Sequence, residues 1–195
     1  MNFDLIAQIL FLCFFSLVLA SLETQIEGGF GWAAKLPTWR PRPEAWYARF
    51  YRKIMSGREL TLYHVLIFNL VLLFFHYPYF AGQNWNWSSE LTTISLFFLV
   101  IVVWDFLWFV VNPRYDFRDF WAEKVWWHKK WFLHLPIDYW FAFLISALFY
   151  IKFSISATLL KEWLVIFVLF LFFTLATGLF ADAAGIFRIK KNIDK

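Results

Sequence analysis

Asp105 carries the only formal charge in the run Leu91–Val111, which is otherwise apolar enough to lie in a bilayer. An aspartate at the centre of a membrane helix costs about 2.5–3.5 kcal/mol, so its retention marks it as a functional candidate. It lies six residues before Val111, hence about 9 Å inside that end of the run at 1.5 Å per residue. Trp108 and Asn112, at i+3 and i+7, share its face of a helix. In the preceding run, Leu60–Ala81, His64 reaches a matching depth. Counted from the short connection 82–90, the two side chains lie at about 25 and 21 Å, within one helical turn. A short connection makes the two helices antiparallel neighbours, so an imidazole and a carboxylate are expected to meet.

His128, in a tryptophan-rich segment, and Glu27, in the loop after the first apolar run, belong to the same layer. His64, Asp105, His128 and Glu27 are therefore expected as one catalytic cluster. Two chemistries suit it. His64, Asp105 and His128 have the donor atoms for a divalent metal such as Zn, Fe or Mn. A carboxylate beside an imidazole also makes an acid–base pair. No H-E-x-x-H, H-x-x-x-H or C-x-x-C spacing presets a metal site. The plainer alternative is a hydrogen bond from Asp105 that only holds helices together, worth about 0.6 kcal/mol on average in membranes. Arg40, Lys129 and Lys130 are expected to hold an anionic headgroup, with Asn112 and Trp108 lining the same ligand site.

Other polar residues near the apolar runs read as structural. His76, about 18 Å along the helix from His64, belongs near the opposite surface. Asp138 is expected to cap a helix N-terminus, as is the group Ser88-Ser-Glu90. Thr174, Gly178 and Asp182 form a small-residue stripe suited to helix packing.

The elements that position these residues follow from composition. Residues of the AVILMFWYC set make up 62% of 195, aromatics 25%, with 27 Phe and 13 Trp, and only 16% are charged. Soluble domains average roughly 45–50% apolar and about 25% charged, so a water-soluble globule is excluded. The lone Cys13 excludes a disulfide scaffold. Spans are expected at about 5–22, 60–81, 91–111, 137–153 and 163–181, each long enough for a core of about 30 Å or nearly so. Backbone polar groups have no water partner there, so the fold is an all-α integral membrane protein with five transmembrane helices in one domain, 1–195.

The Lys and Arg residues, except Lys152 and Lys161, fall in 23–59, 112–136 and the tail after 181. With five spans these segments share one side, which the positive-inside rule makes cytoplasmic, with the N-terminus outside. The first run lacks a basic region before it and reads as a retained span rather than a signal peptide. The cell boundary it crosses is expected to be a bacterial-type inner or plasma membrane.

On the cytoplasmic side, Glu44–Met55 places Trp46, Phe50 and Ile54 at i, i+4, i+8 with Arg49, Arg52 and Lys53 elsewhere, the pattern of an interfacial helix ending at Gly57. A second is expected over 117–135, with Trp121, Trp126, Trp127 and Trp131 beside Lys124, Lys129 and Lys130. The glycines of 28–31 form no phosphate-binding pattern. A girdle on anionic lipid explains these aromatic and basic segments, and so does a headgroup site built by the loops.

The leading expectation is a membrane enzyme acting on a lipid or isoprenoid-like substrate at the cytoplasmic leaflet. A small transporter or channel, and a non-enzymatic accessory subunit, are the alternatives. Partners are membrane lipids and a lipid-like substrate, with assembly as a homo-oligomer or within a larger membrane complex; nothing points to nucleic acid.

Overall fold

The computed structural model describes residues 3–115, 119–120, 125–154 and 156–184. Six helices and one small hairpin make up the described chain: α1 (Phe3–Glu27), α2 (Trp46–Ile54), α3 (Leu62–Phe80), α4 (Trp87–Val111), β1 (Trp131–Phe132), β2 (Leu135–Pro136), α5 (Ile137–Tyr150) and α6 (Ala157–Ala183). Four of them, α1, α3, α4 and α6, are long and apolar enough to cross a membrane. The α5 helix has 14 residues, about 21 Å at 1.5 Å per residue, against a hydrocarbon core of about 30 Å. It ends earlier than the expected 153 because Lys152 and Phe153 take left-handed backbone conformations.

A helix apolar on every face belongs in the middle of a bundle, and α4 occupies that place. It packs against α1, α3, α5 and α6, and its residues from Ser95 to Val110 are largely buried. The outer helices keep apolar residues on their free faces: Phe14 on α1, Leu66 and Leu73 on α3, and Val168, Phe172 and Leu179 on α6 are all well exposed. An exposed apolar surface of that extent suits hydrocarbon, not water.

Local chemistry sets the ends. Gly28 stops α1 with φ +64 and donates its N–H to Thr24 O, the left-handed cap that only glycine takes without cost. Thr61 caps α3, its hydroxyl accepting from the His64 N–H at 3.2 Å. Asn86 and Ser89 form a reciprocal capping box on α4. The N-cap itself is Asn86, and of the Ser88-Ser-Glu90 group Ser89 completes the capping box while Glu90, in the first turn, meets His76 Nε2 at 2.9 Å. Far from the site, Ser95 Oγ donates to Ser146 O at 2.8 Å, and Trp163 Nε1 donates to Ser146 Oγ at 3.0 Å. This buried knot ties α4, α5 and α6 together in the manner of polar groups between membrane helices.

The first expected interfacial helix forms as α2, with Trp46, Phe50 and Ile54 exposed on one stripe. The second does not hold over its last part. Trp131–Phe132 pairs antiparallel with Leu135–Pro136, because Leu133 and His134 take φ +49 and +60 and turn the chain. Trp121 and Lys124 of that expected helix, and the basic tail after 184, lie outside the described residues.

Candidate functional site

The C-terminal ends of α1 and α4 meet the N-terminal ends of α3 and α5, and the loops between them close over the junction. Asn112 Nδ2 donates to Gly28 O at 2.7 Å, Tyr115 Oη to Gly29 O at 3.0 Å, and Trp126 Nε1 to Phe30 O at 2.8 Å. Gly31 takes φ +62, and a Cβ there would lie 2.7 Å from the Trp127 ring. Only glycine lets the loop approach Trp127 so closely.

Beneath this cover lies a cavity of about 780 Å³. Its wall includes Glu23 and Glu27 from α1, His64 and Phe68 from α3, Trp104, Asp105 and Trp108 from α4, and Asp138 and Tyr139 from α5, with Arg58, Trp127 and His128 from the loops. The polar residues gather at one end. Deeper along the helices the lining is Phe97, Phe98, Ile101, Phe141 and Ile145. From Asp105 back to Phe97 is eight residues of helix, so the apolar part extends about 12 Å.

Asp105 Oδ2 accepts two hydrogen bonds, from Tyr139 Oη at 2.5 Å and from His128 Nε2 at 3.0 Å. Neither involves Oδ1, and 31% of the carboxylate side chain remains accessible. The other ring nitrogen of His128, Nδ1, lies 3.6 Å from Asp138 Oδ2. Asp138 in turn is paired with the Arg58 guanidinium. Arg58 is buried, donates Nε–H to Met55 O at 3.0 Å, and lies over the Trp32 ring at 4.5 Å. Asp105, His128, Asp138 and Arg58 thus form a line of alternating charge.

Burial works against the imidazolium of His128, but the Asp105 carboxylate, through charge and hydrogen bond, and the Asp138 carboxylate outweigh it and raise its pKa above the ordinary 6.5. A raised folded-state value gives stability that is complete below pH 6.5 and is lost as the pH climbs through the raised value. Wild type is therefore expected to hold its largest melting-temperature advantage over His128→Gln at pH 6 and to lose it toward alkaline pH. A difference independent of pH would show that His128 is not held as a cation.

The remaining polar residues form a second group. Glu23 and Glu27 lie one turn apart on α1, and a ligand-capable atom of each and of His64 lies within 4.8 Å of the others. Glu27 Oε1 accepts from Ala33 N–H at 2.5 Å and lies 3.5 Å from His64 Nε2. Tyr63 Oη donates to Glu23 Oε1 at 3.4 Å. The His64 ring is stacked on Trp32 at 4.1 Å, with Nδ1 at 2.7 Å from Thr61 Oγ1.

All four residues expected as a catalytic cluster thus line one cavity, but their pairing differs from the expected one. His64 turns to Thr61 and Glu27, held by the Trp32 stack, while Asp105 turns to His128 and Tyr139. The metal-capable grouping among the described residues is accordingly Glu23, Glu27 and His64, not His64, Asp105 and His128. Of the expected ligand-binding residues, Trp108 lines the cavity and Arg40, Asn112, Lys129 and Lys130 do not. Arg40 is spent on Ala33 O at 2.6 Å and Glu59 Oε2 at 3.3 Å. Asn112 is buried against the 28–31 loop, its Oδ1 accepting from Arg114 N–H at 3.1 Å. Lys129 and Lys130 are exposed, the former against Gly57. The guanidinium at the cavity belongs to Arg58. Asp138 lies in the first turn of α5, where a negative charge is favoured, but the N-cap position is Pro136 and no side chain caps there.

Four residues of the site escaped sequence reasoning: Glu23, Arg58, Asp138 in its pairing role, and Tyr139. For Glu23 a signal existed, its spacing of four from Glu27 at the end of the first apolar run. Compared with protein-family models, with curated proteins and with solved structures, the chain matches none.

Proposed function

We propose that the chain is a multi-pass membrane enzyme that takes up a lipid or isoprenoid-like molecule in the 780 Å³ cavity and moves a proton at its polar end. The observation that carries this reading is the division of the cavity into an apolar shaft and a cap of titratable side chains. An amphiphile needs both: burial of its chain contributes about 0.8 kcal/mol per CH₂, and the cap supplies the chemistry. Asp105, ionised, accepts a proton from the bound molecule at Oδ1 and returns it to complete the exchange. Tyr139 and the His128 imidazolium, both bonded to Oδ2, hold the carboxylate ready to take up the proton. Arg58 and Asp138 hold His128 in place from behind.

The cap is proposed to face the cytoplasmic leaflet, with α5 as a fifth crossing, the N-terminus outside and the C-terminus inside. Support comes from the basic residues of 28–61, which belong to the loop closing over the cap, and from the positive-inside rule. The bare Trp46–Phe50–Ile54 stripe of α2 suits the interface beside it.

The test is turnover. Purified protein is incubated with a total lipid extract of its host membrane, and the lipids are compared by mass spectrometry before and after. Wild type is expected to convert one species and Asp105→Asn to leave it unchanged on the same timescale. Equal conversion by both proteins would remove Asp105 from the reaction, and conversion by neither would remove the enzyme reading.

A further inference from the structure

Apart from the Asp105–His128 pair, the cavity holds a second set of side chains suited to ligation. Glu23 and Glu27, at i and i+4 near the end of α1, leave the helix on one face. His64 approaches them from the first turn of α3. One donor atom from each lies within 4.8 Å of the other two, so small side-chain shifts bring them within the roughly 4.4 Å that two atoms on one ion with bonds of about 2.0–2.2 Å can span.

We propose that Glu23, Glu27 and His64 bind a divalent first-row cation of the Zn, Fe or Mn class, with its remaining coordination positions open to the cavity. Two carboxylates and one imidazole are the donor set for that class, and three protein ligands with open positions are the pattern of a reactive site rather than a structural one.

Three observations support this. The first is the orientation of His64. A ligating imidazole donates its other N–H to a fixed acceptor, and Thr61 Oγ1 stands 2.7 Å from Nδ1. That leaves Nε2 turned toward Glu27, at 3.5 Å, with the ring clamped by Trp32. The second is charge. The buried Glu27 carboxylate and the half-buried Glu23 carboxylate beside it repel, and the nearby arginines are engaged elsewhere, Arg58 by Asp138 and Arg40 by Glu59. A cation between the carboxylates offsets the repulsion. The third is Trp108, 3% exposed, whose indole N–H lines the same cavity with no acceptor among the described residues. A buried unpaired donor calls for a non-protein acceptor, so the cavity that the proposed ligands line has a donor for a polar occupant.

The site goes beyond the proton-transfer reading and does not need it, since no ligand is shared with Asp105 or His128. The test uses full-length protein in detergent, stripped with a chelator and titrated with Mn²⁺ and, separately, Zn²⁺, with bound metal counted by mass spectrometry after gel filtration. Wild type is expected to retain one ion per chain. Glu23→Gln and His64→Ala are expected to lose it, and Thr61→Val to bind about 10–100-fold more weakly. His128→Gln is expected to retain it. Should His64→Ala not fold, the isosteric Glu23→Gln decides. No stoichiometric ion on wild type, full retention by Glu23→Gln, or equal loss in His128→Gln would each overturn the proposal. None of these results depends on turnover, so the two readings fail separately.

Discussion

Asp105→Asn is expected to lower turnover by about 10²–10⁴-fold, the range that one positioned acid or base contributes, with a melting temperature below wild type at pH 6 and close to it at alkaline pH, where the ion pair with His128 no longer contributes. At alkaline pH the two effects separate because the amide keeps the shape of the carboxyl. Asparagine Oδ1 still accepts from Tyr139, so the buried phenol is not left without a partner, and what is lost is the ability to exchange a proton. His128 loses the carboxylate that Nε2 now meets at 3.0 Å, so its pKa is expected to fall back from its raised position. An NMR titration of the His128 ring in the two proteins checks this directly. A drop in turnover accompanied by an unchanged His128 titration would mean that Asp105 acts without the imidazole.

Arg58→Met is expected to destabilise the fold by about 3–5 kcal/mol, the cost of removing one partner from a buried ion pair. Methionine preserves most of the aliphatic stem, so the loss reports on the guanidinium, both its pairing with Asp138 and its place over the Trp32 ring. Asp138 is left facing His128 alone, and the Met55 carbonyl loses the Nε–H donor now at 3.0 Å. Arg58 joins the loop before α3 to the start of α5, 80 residues away in the chain, and the variant is therefore expected to loosen the cover of the cavity first. Hydrogen exchange over residues 28–61, compared with the α4 core, measures it. The double variant Arg58→Met, Asp138→Leu is expected to recover much of the stability, because an apolar pair leaves no unpaired buried charge. If the single variant melts with wild type, the guanidinium does not bear on the fold.

Much of this arrangement was legible from composition and spacing. The long uncharged runs locate the four long helices, because a bilayer tolerates little else, but the helices run on past the runs, to Glu27 in α1 and back to Ala157 through Lys161 and Glu162 in α6. Depth counting from the connection 82–90 was enough to put His64 and Asp105 at one level, and a loop brings His128 to them, whereas Glu27 arrives on the last turn of α1 rather than on the expected loop. Which groups pair at that level was not legible, since helix rotation decides it and the runs are apolar on every side. Tyr139, 34 residues from Asp105, takes the place expected of His64 for that reason. Arg58 read as one more cytoplasmic basic residue; only the fold of the loop over α5 distinguishes it from Arg49 or Arg52. The hairpin at 131–136 escaped because two non-glycine residues, Leu133 and His134, make its turn.

What fills the cavity decides most directly whether it serves an amphiphile. Ala142, on the apolar side of the lining, is the residue to change: Ala142→Trp fills the shaft and leaves Glu23, Glu27, His64, Asp105 and His128 untouched. Native mass spectrometry of detergent-released protein is expected to find one bound amphiphile per chain in wild type and none in Ala142→Trp, with both proteins folded. An empty wild-type cavity, or the same molecule retained at full occupancy by Ala142→Trp, would contradict that role.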